Sequence, residues 1–210
     1  MSKPRVLVCV LCGAERTDWI NPALMLNLLV MAKDPRFDVA YQPVAGYRPW
    51  ECARNQTINL ARSMNADWLV SFDNDNGLDC NPLDVIAAAG DAQDVIGLTY
   101  GVGCVPDCRL FPSHNHGPID GPFREEKSVG GGVLMIRNKV WQKIPRGPWF
   151  RWQHADNELL APAPGAVDEV TYFCNLVREN GFRVWTHRSI LAAHFKTADI
   201  TRTVSALHQP

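Results

Sequence analysis

Residues 68–77 read Trp-Leu-Val-Ser-Phe-Asp-Asn-Asp-Asn-Gly, an apolar run that ends in two acidic residues separated by one asparagine. The apolar part has the composition of a strand buried on both faces. Because alternate side chains of a strand point the same way, Asp73 and Asp75 are expected to converge at its carboxyl end. Converging carboxylates repel unless a cation lies between them, and Mg²⁺ or Mn²⁺ prefers such oxygen ligands. The run predicts a metal site that handles a substrate phosphate. A solvated Asx-rich turn is the alternative interpretation.

Strands and helices alternate along the first hundred residues. This alternation predicts a single-domain α/β fold with a mixed, mostly parallel sheet flanked by helices. In such sheets, ligands bind beyond the carboxyl ends of the strands. The domain is expected over 1–195, with a mobile polar tail over 196–210. The predicted strands cover 5–11, 37–44, 68–72 and 94–99, and the predicted helices cover 20–33, 50–65 and 82–89.

The composition bounds the compartment and the partners. With 21 basic and 22 acidic residues, the chain has no general attraction for polyanions. No apolar stretch is long enough to span a membrane, and the N-terminus does not resemble a secretory signal. The 7 cysteines are irregularly spaced, which is typical of reduced thiols. These features predict a cytoplasmic protein without a membrane span.

The order of the polar motifs resembles that of the GT-A class of nucleotide-sugar glycosyltransferases, in particular small soluble members like those of family 2. The resemblance covers nearly the whole chain. The elements that carry it are the loop after the first strand, Ala53-Arg54-Asn55, Asp73-Asn74-Asp75, Gly130-Gly131-Gly132, Asp168-Glu169 and His194.

The resemblance implies a site for Mn²⁺ or Mg²⁺ and a nucleotide-sugar donor. The metal ligands would be Asp73, Asp75 and His194. The glycines would let the backbone approach the donor closely, and an arginine fork suits a diphosphate or sugar hydroxyls. The residues expected to contact the donor are Leu11, Cys12, Gly13, Arg54, Asn74, Gly131 and Gly132.

The remaining implied roles concern the acceptor. Asp168-Glu169 matches the position of the family's acidic pair with the order reversed, so either residue is a candidate base. Asp168 equally suits the N-cap of a helix. Aromatic side chains that can stack on an acceptor or anchor a loop to the core are Trp149, Phe150 and Trp152.

The predicted function is therefore metal-dependent hexosyl transfer from a nucleoside-diphosphate sugar, with a UDP-sugar as the default, to a hydroxyl of a soluble acceptor. The acceptor would be a small molecule, a protein or nucleic acid. Compact members of the class occur in bacteriophages, where a modified DNA base can be the acceptor.

Two other interpretations remain open. A sugar-phosphate nucleotidyltransferase can share this sheet, although the loop after the first strand has one glycine and lacks a glycine-rich phosphate cradle. A non-catalytic carbohydrate-binding or zinc-binding module is the other. The zinc interpretation depends on the spacing of Cys104, Cys108, His114 and His116.

Overall fold

The centre of the fold is one mixed sheet whose inner strands are buried and whose edge strands are more exposed. The computed structural model describes residues 2–12, 20–47, 49–102, 109–111, 117–153 and 167–194. Within these residues the strands are β1 (Arg5–Cys12), β2 (Asp38–Ala45), β3 (Trp68–Asp73), β4 (Asn76–Leu78), β5 (Val95–Val102), β6 (Arg109–Phe111), β7 (Ile119–Asp120), β8 (Phe123–Glu126), β9 (Val133–Arg137) and β10 (Val184–His194).

The strands follow the order β2-β1-β3-β9-β5-β10-β8-β7, with β4 paired to β10 and β6 paired to β5. The sheet is mixed, as predicted, but the expectation that it is mostly parallel was wrong. β1 runs parallel to β2 and β3, and β10 runs parallel to β5. The other pairings among the described strands are antiparallel.

Two physical reasons explain this difference. β9 is buried along most of its length although it runs antiparallel to both neighbours, so its apolar composition reports burial and not direction. β7 and β8 are joined by Gly121 and Pro122 alone, and so short a connection permits only an antiparallel pair. Gly121 has φ +56°, the left-handed conformation that glycine adopts most easily.

Five helices in the described residues cover the two faces of the sheet. None of them has both the length and the apolar character required to cross a bilayer. Their bounds are α1 (Pro22–Ala32), α2 (Trp50–Ser63), α3 (Pro82–Ala88), α4 (Asn138–Lys143) and α5 (Glu169–Glu179).

The alternation of side chains on the central strands produces two cores. Leu7 and Leu69 point to a cluster completed by α2, α4 and α5. Their neighbours Val8 and Val70 point to the opposite cluster, which α1 and α3 complete. The same period assigns Asp73, four positions after Leu69, to the face of α2 and α5.

Some predicted features lie outside the described residues. These are the tail over 196–210, the donor residue Gly13, and the zinc candidates Cys104, Cys108, His114 and His116.

Candidate active site

The carboxyl end of β3 is the meeting point of several elements. Leu11 of β1 is the register partner of Asp73, and the Asp73 amide donates to the Gly132 carbonyl at 2.9 Å. The chain then leaves the β1 register and forms β4, whose Asn76 is paired with His194 at the end of β10. The topology thus brings the acidic run, the triple glycine and the late histidine to one edge of the sheet.

Asp73 is bound to a buried arginine. Arg54 Nη2 donates to Asp73 Oδ1 at 3.1 Å, and Arg54 Nε donates to Glu169 Oε1 at 3.3 Å. Arg54 Nη1 also donates to the Gly131 carbonyl at 3.0 Å. The exposed fractions of the side chains are 6% for Arg54, 24% for Asp73 and 11% for Glu169. We call these three side chains the arginine cluster.

The arginine cluster holds one positive charge against two negative ones. Burial disfavours the charge on Arg54, but Asp73 and Glu169 outweigh that effect and raise its pKa. Burial raises the pKa of Glu169, and Arg54 offsets part of that increase. Asp73 is affected in the same two ways, and the nearby charge of Asp75 raises its pKa further. Arg54 therefore stabilises the protein's own carboxylates, whereas the sequence analysis assigned it to the donor.

The triple glycine provides room for buried polar side chains. A Cβ on Gly131 would lie 2.6 Å from Arg54 Nη2, and a Cβ on Gly132 would lie 2.6 Å from Asn76 Oδ1. At Gly130 the ring of Tyr100 fills the corresponding space. The space on the Cβ side of these glycines is thus occupied by the protein's own side chains.

Asp75 occupies a different environment from Asp73. β3 ends at Asp73, so the period-two argument for convergence does not extend across the turn to Asp75. The Asp75 carboxylate instead lies with Oδ2 at 3.4 Å from His194 Nε2, and its Oδ1 accepts from Asn76 Nδ2 at 2.8 Å. Both partners are largely buried. We call Asp75 and His194 the acidic–imidazole pair.

The two side chains of the acidic–imidazole pair lie close enough together to be ligands of one divalent cation. Ligand atoms about 2.1 Å from a metal lie about 3 Å apart when they are neighbours, close to the observed separation. The described residues contain no group of three His, Cys, Asp or Glu side chains arranged to hold a metal. Sites for Mg²⁺ often use only one or two protein side chains as ligands.

The two adjacent candidate bases have different positions. Asp168 is the N-cap of α5, where its Oδ1 accepts from the amides of Val170 and Thr171 at 3.0 and 2.7 Å. Its Oδ2 accepts from Thr171 Oγ1 at 2.9 Å. Glu169 begins the helix and faces Arg54. The contacts of Asp168 are thus those of a helix N-cap.

Three other residues that were expected to contact the nucleotide-sugar donor are buried beside the site. The side chains of Leu11 and Cys12 are buried, and the Leu11 carbonyl accepts from the Asn74 amide at 3.1 Å. Asn74 is also buried. Burial raises the pKa of the Cys12 thiol. In this conformation, these side chains pack within the protein.

The aromatic residues expected to contact the acceptor divide into two groups. Trp149 and Phe150 are buried in the core, where Phe150 stacks on Phe173 with a centroid distance of 4.4 Å. Asn55 accepts from both of their amides and so anchors the segment. Neither ring is accessible to an acceptor in this conformation. Trp152 is 36% exposed.

Sequence reasoning missed several residues of this edge. Tyr100 packs against Gly130, and its ring lies edge-on to His194 at 5.3 Å. Asn21 donates from its side chain to the backbone on both sides of Asp75. The dipeptide Asn21-Pro22 is the available signal, since asparagine before proline is typical of a helix start. The predicted helix began at residue 20, two residues before the observed start of α1 at Pro22.

Comparison with solved structures places the fold. Protein A197 from STIV superposes with a TM-score of 0.63 at 17% identity, over 91% of this chain and 86% of that chain. The structure of GalNAc-T7 with UDP, GalNAc and Mn²⁺ matches with a TM-score of 0.51 at 10% identity, over 94% of this chain and 45% of that one. This chain thus spans less than half of the second protein. No family model matches the sequence, and no curated protein matches it.

These likenesses establish the fold. The chain has an α/β, GT-A-like fold with one mixed sheet flanked by helices, as the sequence predicted. The direction of most strand pairings is the part of that prediction that required correction.

Proposed function

We propose that this chain is a metal-dependent glycosyltransferase that moves a hexose from a nucleoside-diphosphate sugar, with a UDP-sugar as the default donor, to a hydroxyl of a soluble acceptor. The observation that carries the proposal is the acidic–imidazole pair beside the arginine cluster, on a GT-A-like sheet edge. The likeness to a protein solved with UDP, GalNAc and Mn²⁺ supports it at the level of the fold.

Asp75 and His194 would hold the divalent ion, Mn²⁺ or Mg²⁺. When bound, such an ion neutralises the charge that develops on a leaving nucleoside diphosphate. The chain's contribution is to orient the carboxylate: Asn76 Nδ2 holds Asp75 Oδ1, and the pairing of β4 with β10 places the imidazole opposite. Asp73 would lie beside the ion without being one of its ligands, because Arg54 already binds both of its oxygens.

Glu169 would be the base that accepts the proton of the acceptor hydroxyl. Its burial raises its pKa above the ordinary value, which increases the proton affinity that a general base requires. Arg54 orients the carboxylate. Asp168 would serve as the N-cap that fixes the start of α5, since its oxygens bind the backbone and Thr171.

The acceptor would approach from the side of Trp152, which follows the buried anchors Trp149 and Phe150. An exposed indole offers the flat apolar face that stacks on sugar or nucleobase rings. A small molecule, a protein or a nucleic acid with a modified base would suit this proposal, and the same transfer chemistry applies to each.

A thermal-shift panel of nucleotide sugars with and without Mn²⁺ tests the proposal. A donor at 100 times its Kd stabilises the folded state by about 2.7 kcal/mol. For a chain of this size, that corresponds to a rise in Tm of about 5 °C or more. We expect one donor to give this shift only with Mn²⁺, and to release nucleoside diphosphate on addition of an acceptor. Failure of every donor would contradict the proposal, and binding without turnover would indicate a non-catalytic module.

A further inference from the structure

We propose that Asn21 is the positioning residue that holds Asp75 in the orientation required for metal binding. The inference rests on the proposed function, because it concerns the same metal. Asn21 immediately precedes α1 and is far from Asp75 in sequence. Its side chain acts through the backbone of the turn that carries the carboxylate.

The Asn21 amide group binds the turn on both sides of Asp75. Its Nδ2 donates to the Asn74 carbonyl at 3.0 Å and to the Asn76 carbonyl at 2.8 Å. An amide nitrogen has two hydrogens, so each carbonyl receives one. The side chain is fully buried, at 0% exposure. One group thus fixes the peptide that precedes Asp75 and the peptide that follows Asn76.

The other end of the same amide is fixed to α1. Asn21 Oδ1 accepts from the Leu24 amide at 2.9 Å, which is the N-cap contact of the helix. The helix start is packed directly on β4, since a Cβ on Gly77 would lie 2.8 Å from Ala23 Cβ. Asn21 therefore cannot rotate to follow a displaced turn without breaking the cap.

This attachment matters because small shifts change metal affinity. Asp75 Oδ2 lies 3.4 Å from His194 Nε2, and the turn sets that separation. In metal sites, removing a partner that orients a ligand typically weakens metal binding by about 10–100-fold. Loss of the Asn21 amide hydrogens is expected to act in that way.

Asn27 is a matched control on the same helix. It is 2% exposed, and its Nδ2 donates to the carbonyls of Leu78 and Cys80 at 3.0 Å each. Its Oδ1 accepts from the Leu78 amide at 2.7 Å. Its chemistry equals that of Asn21, but its contacts lie at the far end of β4 from Asp75.

The experiment compares Asn21→Ser with Asn27→Ser by titration with Mn²⁺ alone, followed by electron paramagnetic resonance. Serine keeps a capping oxygen but is too short to bind both carbonyls. We expect Asn21→Ser to weaken Mn²⁺ binding about tenfold or more, and Asn27→Ser to stay within about twofold of the unaltered protein. Equal Mn²⁺ affinities in the two variants would overturn the assignment alone. Absence of Mn²⁺ binding by the unaltered protein would overturn the proposed function and this assignment together.

A measurement on the unaltered protein covers the case in which Asn21→Ser does not fold. Amide hydrogen exchange with and without Mn²⁺ reports which segments the metal stabilises. We expect Mn²⁺ to protect the Leu24 amide together with those of Asn74 and Asn76. Protection of the turn without any change at Leu24 would overturn the assignment.

Discussion

Asp73 and Asp75 lie two residues apart, yet the protein uses their charges in different ways. Asp73 ends β3 and is bound through both oxygens to Arg54, which also binds Glu169. Asp75 lies beyond the strand end, and its Oδ2 is 3.4 Å from His194 Nε2. The first carboxylate is thus compensated inside the fold, and the second is directed at a group that shares metal-ligand chemistry with it.

The difference separates the carboxylate that Arg54 binds from the carboxylate that we propose binds the metal. A buried charge is costly unless it is paired, so the arginine cluster must remain intact for the fold. Asp75 instead faces the imidazole of His194, and we propose that the two side chains share an added cation. Variants of the arginine cluster and of Asp75 test this division, and variants of neighbouring residues serve as controls.

The largest expected effect is on turnover. Glu169→Gln should lower the rate of sugar transfer by about 10²–10⁴-fold, because the variant retains the size of the side chain but cannot accept a proton. Since burial raises the pKa of Glu169, the unaltered enzyme should lose activity as pH falls through a value above 4.5. The activity that remains in the variant should not show this loss at low pH. The pH dependence of kcat/KM is the measurement.

Asp168→Asn is the matched control for that prediction. Asparagine keeps an oxygen that can accept from the amides of Val170 and Thr171, so the N-cap of α5 survives. We expect its rate to stay within about tenfold of the unaltered enzyme, in line with a capping role. A large loss in this variant, with near-normal turnover in Glu169→Gln, would assign the base to Asp168.

The next effect concerns the arginine cluster and stability. Arg54→Met leaves Asp73 and Glu169 largely buried without their cation, and breaking such a pair from one side costs about 3 kcal/mol or more. Without Arg54 the pKa of both carboxyls rises further above the unfolded value. The loss should therefore grow as pH rises through their titration and be smallest in acid. Urea unfolding at several pH values measures it.

Arg62→Met on the same helix is the control. Arg62 is exposed and donates to the Pro145 carbonyl, so its loss should cost less than about 1 kcal/mol at any pH. If both variants lose the same stability, the arginine cluster is not the element that we describe.

The sequence predicted the elements well where burial and caps are local properties. The apolar runs of β1 and β3 and the span of α2 agree closely with the structure. It could not predict that β9 enters the sheet antiparallel, because a strand buried on both faces has the same composition in either direction.

For the site, the sequence identified the residue types but not their pairing. Asp75 and His194 are brought together by the pairing of β4 with β10, a three-residue strand that no periodicity reveals. Arg54 was assigned to the donor because a fork suits phosphate, and the same fork suits carboxylates. Only the positions of Asp73 and Glu169 distinguish the two uses.

A smaller effect is expected from filling the space beside the arginine cluster. In Gly131→Ala the new methyl group would lie 2.6 Å from Arg54 Nη2 and 2.8 Å from Val170 Cγ2. Overpacking of this kind costs about 1–3 kcal/mol. Thermal unfolding measures the loss. Gly90→Ala is the control, since that Cβ would meet only the end of the Gln93 side chain at 3.1 Å. Equal losses would show that no such constraint exists at Gly131.

The division between the two carboxylates is tested most directly by Mn²⁺ titration of Asp75→Asn and Asp73→Asn, with Asp79→Asn as an exposed control on the same segment. We expect Asp75→Asn to weaken Mn²⁺ binding by more than about 100-fold, because loss of a direct ligand should exceed the effect of losing a residue that only orients one. Its free energy of unfolding should change little. Asp73→Asn should lose about 1–3 kcal/mol of stability and bind Mn²⁺ within about tenfold of the unaltered protein. Loss of Mn²⁺ binding in Asp73→Asn, with normal binding in Asp75→Asn, would contradict the account.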